Sequence, residues 1–88
     1  MAKEKLTREM ENAVDEVARR MLVEYERAQY SLTITTTGIF DPTYRVQVGR
    51  VQGMEVALSC LAEKFDLGEQ ATEALKFVTE NRLNLTEE

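Results

Sequence analysis

The residues best suited to chemistry lie close together near the start of a long apolar run: Tyr44, Arg45 and Arg50. A guanidinium offers a rigid fork of donors to a phosphate or carboxylate, and a phenol ring can stack on a base. Arg50 falls among apolar residues, where its charge needs a carboxylate, an anionic ligand or a route to water. Three readings follow: an ion pair to a glutamate of the first helix or of another subunit, an anion or nucleotide pocket with Tyr44 stacking, and a side chain that snorkels outward.

Other chemistries lack their parts. The chain has no histidine and one cysteine, so Cys60 has no imidazole to act as its base, and zinc sites are excluded. On an apolar helical face Cys60 reads most simply as a small buried hydrophobe in a reducing compartment. Carboxylate pairs such as Asp15 with Glu16 and Glu24 with Glu26 fall on faces expected to be solvated, where nothing tunes a pKa. The glycines do not form a phosphate-cradling loop. We expect no enzyme, no cofactor and no metal.

The element that positions these groups is Asp41 to Phe65, a helix expected to begin at an Asp41 N-cap with Pro42 in its first turn. With Gly49 at zero and about 100° per residue, Val56, Gly49, Cys60, Gly53, Val46, Ala57, Leu61 and Met54 fill an arc from about −20° to about 140°. Phe65, Leu58, Val51, Tyr44 and Ala62 extend it to about 220°, leaving Glu55, Ser59, Gln52, Arg45 and Glu63 as a polar wedge. So narrow a wedge requires at least two covering neighbours. Gly49, Gly53 and Ala57 form a row of small residues, and each glycine costs a helix roughly 1 kcal/mol against alanine. Close approach of another backbone would offset that cost, either in an intramolecular crossing against the first or third helix or in a self-association seam. The helix carries too many charges to span a membrane.

The flanking elements follow from periodicity. Met10, Val14, Val17, Met21, Tyr25 and Ala28 recur at helical spacing, flanked by Ala13, Ala18 and Leu22, and predict a helix from Thr7 to about Tyr30. Ser31 to Phe40, SLTITTTGIF, reads as an extended Thr-rich segment: a strand folded back at Gly38, a strand paired with a partner, or a linker. Asp66 and Glu69 suggest a capping box for a third helix over 67–82, with Leu67, Ala71, Ala74, Leu75, Val78 and Leu85 on its buried stripe and Phe77 beside it.

Two local resemblances add to this reading. SCLAEKFDLGEQATEALKF, from Ser59 to Phe77 and following Leu58, resembles the helix-turn-helix of DNA-binding repressors through Ala62, the tight turn at Phe65 to Leu67, and Leu75. It departs from that family in carrying Asp66 at the usual turn glycine, and Glu69, Gln70 and Glu73 on the helix that would read DNA, where phosphates call for basic residues. YRVQVGRVQGMEVAL, from Tyr44 to Leu58, resembles helices of small bacteriophage and prophage proteins. That resemblance implies a virion accessory protein or a small inhibitor of a host factor, and assigns no residue a role.

Charge narrows the partners. Eleven basic and sixteen acidic side chains give 11 − 16 = −5, with two basic and six acidic residues in 66–88, which disfavours nucleic acid and allows a basic-surfaced protein. The charged N-terminus carries no secretory pattern, so a cytoplasmic protein is expected, in a host cytoplasm or virion if phage-encoded. The expectation is a mainly α domain over 1–88, frayed at 1–6 and 84–88, with three helices. It is expected to be a non-enzymatic homo-oligomer that binds another protein. Its interface residues would be Val46, Gly49, Gly53, Val56, Ala57 and Cys60, and an anion site would comprise Tyr44, Arg45 and Arg50. A DNA-binding regulator and an anion- or nucleotide-binding protein are the alternatives.

Overall fold

Asp41 fixes where the second helix begins. Its Oδ1 accepts from the Tyr44 amide at 3.1 Å, and Pro42 sits in the first turn, where no helical donor is lost. The structure, a computed structural model that describes residues 3–34 and 36–83, is mainly helical, as the periodicity required. Helix α1 spans Arg8–Ile34, α2 Pro42–Lys64 and α3 Glu69–Glu80. Leu85, expected on the third stripe, lies outside the described residues, as do residues 1–2 and 84–88 of the segments expected to fray.

Helices α1 and α2 form an antiparallel hairpin. Ser31 Oγ donates to Gln47 Oε1 at 2.8 Å near the turn, and Glu24 faces Arg50 one stretch further along. Helix α3 runs back beside both, with Tyr25 Oη of α1 donating to the Asn81 carbonyl at 2.6 Å and the Tyr25 and Phe77 rings meeting edge-on at 5.3 Å. The main core gathers Val14, Ala18, Met21, Tyr25, Val51, Leu58, Leu67, Ala71, Ala74 and Val78. Ala28, Tyr44 and Val48 form a smaller cluster near the hairpin turn, covered by Leu32, Ile39 and Leu83. Met10, expected on the α1 stripe, is exposed.

Three local expectations are corrected. Residues 31–34 are helical rather than extended, since Ser31 is buried against α2 and the Thr33 hydroxyl donates back to the Tyr30 carbonyl at 2.7 Å, which accommodates a β-branched residue in the last turn. Beyond Thr35, which is not among the described residues, the connection is a bend followed by a 3₁₀ turn, Gly38–Phe40, with Gly38 at φ 59°. None of its described residues pairs as a strand. The capping box at Asp66 is also absent: Gly68, at φ 88°, is the N-cap of α3, and Asp66 Oδ1 instead accepts from the Gly68 amide at 3.1 Å in an Asx turn.

The third correction concerns the N-terminus. Glu4–Lys5 (β1) pairs in parallel with Phe65–Asp66 (β2), Glu4 opposite Phe65 and Lys5 opposite Asp66, and Lys3 Nζ donates to the Ala62 carbonyl. Residues expected to fray are thus tied to the end of α2. A two-residue bridge carries too little pattern to be read from a sequence.

The molecule is long and thin, 48 × 24 × 16 Å between Cα extremes. Helices pack about 8–10 Å apart, so the short dimension holds two layers. One face of α2 is covered by α1 and α3; among the described residues no third layer covers the other. Replacing Leu58, which is fully buried, with alanine is expected to cost about 2–5 kcal/mol in urea unfolding, whereas Val23→Ala at an exposed position should stay within about 0.5 kcal/mol.

Candidate functional site: the outer face of α2

On the same helical wheel, the buried residues of α2, Leu58, Val51, Tyr44, Glu55 and Val48, occupy about 180° to about 260°. All six residues expected at an interface, Val46, Gly49, Gly53, Val56, Ala57 and Cys60, lie on the opposite side and face solvent. Val46 is 56 % exposed, Val56 62 % and Leu61 37 %. Met10, Val23, Tyr30, Ile34, Phe40 and Phe77 are exposed elsewhere on the surface, as scattered apolar side chains usually are, whereas Val46, Val56 and Leu61 share the outer side of one helix.

Among the described residues, Gly49 and Gly53 of the small-residue row make no close crossing. A Cβ built on Gly49 or Gly53 meets no heavy atom within 4 Å, so neither glycine is needed by α1 or α3. Their cost of roughly 1 kcal/mol each in helix propensity is therefore not offset by a close contact with any described residue. Cys60 is exposed rather than buried, because it belongs to this outer face.

Glu55 departs most from its expected place. It was assigned to the wet wedge, yet it is buried, and its Oε2 accepts from Thr79 Oγ1 at 3.1 Å and from Arg82 Nη2 at 3.2 Å. These bonds satisfy a carboxylate that burial alone would penalise and clamp the end of α3 to the middle of α2. The signal was present in its neighbours, since Val51 and Leu58, four before and three after it, are buried on the same stripe.

The expected anion site is not assembled. Tyr44 is 0 % exposed in the small core, so no ring face is open for stacking, and Arg45 Nη1 donates to the Ile39 carbonyl at 3.2 Å. Arg50 Nη1 lies 3.8 Å from Glu24 Oε2, the ion pair to the first helix that was one of the three readings of its position. Glu24 Oε1 accepts from Arg27 at 3.2 Å, while Oε2 is buried with no hydrogen bond. Around this pair runs a groove of about 670 Å³ between α1 and α2, whose charged lining is Arg19, Arg20, Arg27 and Arg50 with Glu16 and Glu24. Four cations against two carboxylates make it locally positive in a chain of net charge −5. Arg20 and Arg27, two turns apart on α1, were the sequence signal for it.

The expected helix i,i+4 pair Glu16–Arg20 forms at 3.1 Å, with both side chains exposed. Among the described residues no group of His, Cys, Asp or Glu is placed to hold a metal ion, and no helix is long and apolar enough to cross a membrane. On α3, Glu69, Gln70, Glu73 and Lys76 are exposed, so the face that a helix-turn-helix would offer to DNA carries more negative than positive charge.

Burial pushes the Tyr44 phenol above its ordinary value of 10.0; Tyr25 adds to the rise and Arg45 opposes it. The unfolded chain then loses this proton before the folded one, so stability is complete below about pH 10 and falls as pH rises past it. Urea midpoints of wild type and Tyr44→Phe, followed from about pH 9 to about pH 11, should show a shallower alkaline decline in the variant. No family model matches the chain, and no curated protein or solved structure matches it.

Proposed function

We propose that the chain acts by self-association and protein binding, without catalysis, using the outer face of α2. The observation that carries this reading is the placement of Val46, Val56 and Leu61 with Gly49, Gly53, Ala57 and Cys60 on a face that is left exposed among the described residues. A second layer of helices against it would remove apolar surface from water at about 25 cal/mol per Å² and give the glycines a close neighbour. For a chain of 88 residues, where one core supplies only a few kcal/mol, such burial is a substantial share of stability. A small helical oligomer of this kind fits an accessory or host-factor-binding protein of a phage, working in a cytoplasm that keeps Cys60 reduced.

The groove between α1 and α2 favours a second reading, anion binding. Its four arginines could hold a phosphate, with Arg50 shifting from Glu24 to the ligand. A phosphate- or nucleotide-dependent rise in melting temperature that Arg50→Ala abolishes supports that reading, and no shift at millimolar ligand removes it.

Gly53→Leu separates self-association from folding. Because an added Cβ meets no described atom within 4 Å and leucine is the better helix former, the variant should keep its helical circular dichroism and a melting temperature no lower than that of wild-type monomer. Light scattering should show an oligomer for wild type and a folded monomer for the variant. A wild-type monomer at all accessible concentrations would defeat the proposal.

A further inference from the structure

The outer face of α2 also has an orientation. Resting on the self-association proposed above, we infer that its occupant is a second copy of the same helix, running antiparallel about a two-fold axis at Gly53, with Arg45 of each copy paired to Glu63 of the other.

The midline of the face is symmetric in the sequence. Val46, Gly49, Gly53, Ala57 and Cys60 stand at −7, −4, 0, +4 and +7 from Gly53, and all five are exposed. Turned end for end about Gly53, the row meets itself with like sizes opposed: Val46 against Cys60 of the second copy, Gly49 against Ala57, and Gly53 against Gly53. An isologous contact requires this kind of self-complementarity. Val56 borders the small centre on one side, and on the other Leu61 stands beside Arg50, which is held toward Glu24 of α1.

Charge selects the antiparallel direction. Arg45 and Glu63 are eighteen residues apart, five full turns at about 3.6 residues per turn, so they lie on the same flank of the helix, and both are exposed. A two-fold axis across an antiparallel pair keeps each flank on its own side. Arg45, eight residues before Gly53, therefore comes within about one turn of Glu63 of the second copy, ten residues after it, and the pair occurs twice. A parallel pair would bring Glu63 to Lys64 but set Arg45 against Thr43 and Gln47, and would align the two helix dipoles unfavourably.

Cys60 reports the direction. In the antiparallel pair the two Cys60 sites are fourteen residues apart along the axis, about 21 Å, far beyond disulfide reach, whereas Val46 and Cys60 of opposite copies are apposed. Full-length wild type and Val46→Cys are sized by light scattering under reduction, then oxidised, and the linked peptides identified by mass spectrometry. The expected result is a reduced dimer in both, no crosslink in wild type, and a 46-to-60 crosslink in the variant. In addition, R45E and E63R should each raise the dimer Kd several-fold, and the two together should restore it. A dimer linked through two Cys60 residues, or one that gives no crosslink in Val46→Cys, overturns the antiparallel inference while leaving self-association intact. A reduced protein that stays monomeric removes both.

Discussion

The structure depends on a single constraint: α2 has two faces worth burying, and α1 and α3 bury one. Tyr44, Val48, Val51 and Leu58 meet α1 and α3, and the molecule is then two helix layers deep. Every other feature of the site follows from what remains on the far side. Val46, Val56, Leu61 and the small residues between them are left in water. The outer face is as regular as the inner one, with the same helical repeat and fewer charges than a solvated face ordinarily carries.

Polar contacts settle which face goes inward. Glu55 is the decisive residue, because a buried carboxylate is tolerable only with donors, and the end of α3 brings Thr79 and Arg82 to it. Ser31 with Gln47 and Tyr25 with the Asn81 carbonyl do similar work at the hairpin turn and at the end of α3. The outer face has no comparable partner for a carboxylate in its centre and holds none. Arg50, between Ala57 and Leu61 on the wheel, is held to α1 by Glu24 rather than turned across the small residues.

Much of the fold was legible in the sequence because helices advertise themselves by repeat and cap. Asp41 and Pro42 marked the start of α2 to the residue, and Val14, Met21, Tyr25 and Ala28 marked the inner face of α1. What was not legible depended on neighbours distant in sequence. The helicity of 31–34 comes from packing Ser31 and Leu32 against α2, which overrides the β-propensity of the threonines. The burial of Glu55 depends on residues 79 and 82, and β1 on residues 65 and 66. For the site, the six outer residues could be grouped by angle and expected at an interface, but a wheel shows which residues share a face and not which face is covered, so an intramolecular crossing against α1 or α3 stayed open until the packing was seen. Tyr44, Arg45 and Arg50 were close in sequence and point in three directions, about 100° or more apart.

If a second copy covers the outer face of α2, Cys60 changes from an open thiol to a shielded one as the protein concentrates. The most direct measurement is therefore the rate at which a small disulfide reagent modifies Cys60 across a wide dilution series of the native protein. The expected result is fast modification in dilute solution that slows, saturably, as concentration rises. A rate that is fast and independent of concentration would contradict the account.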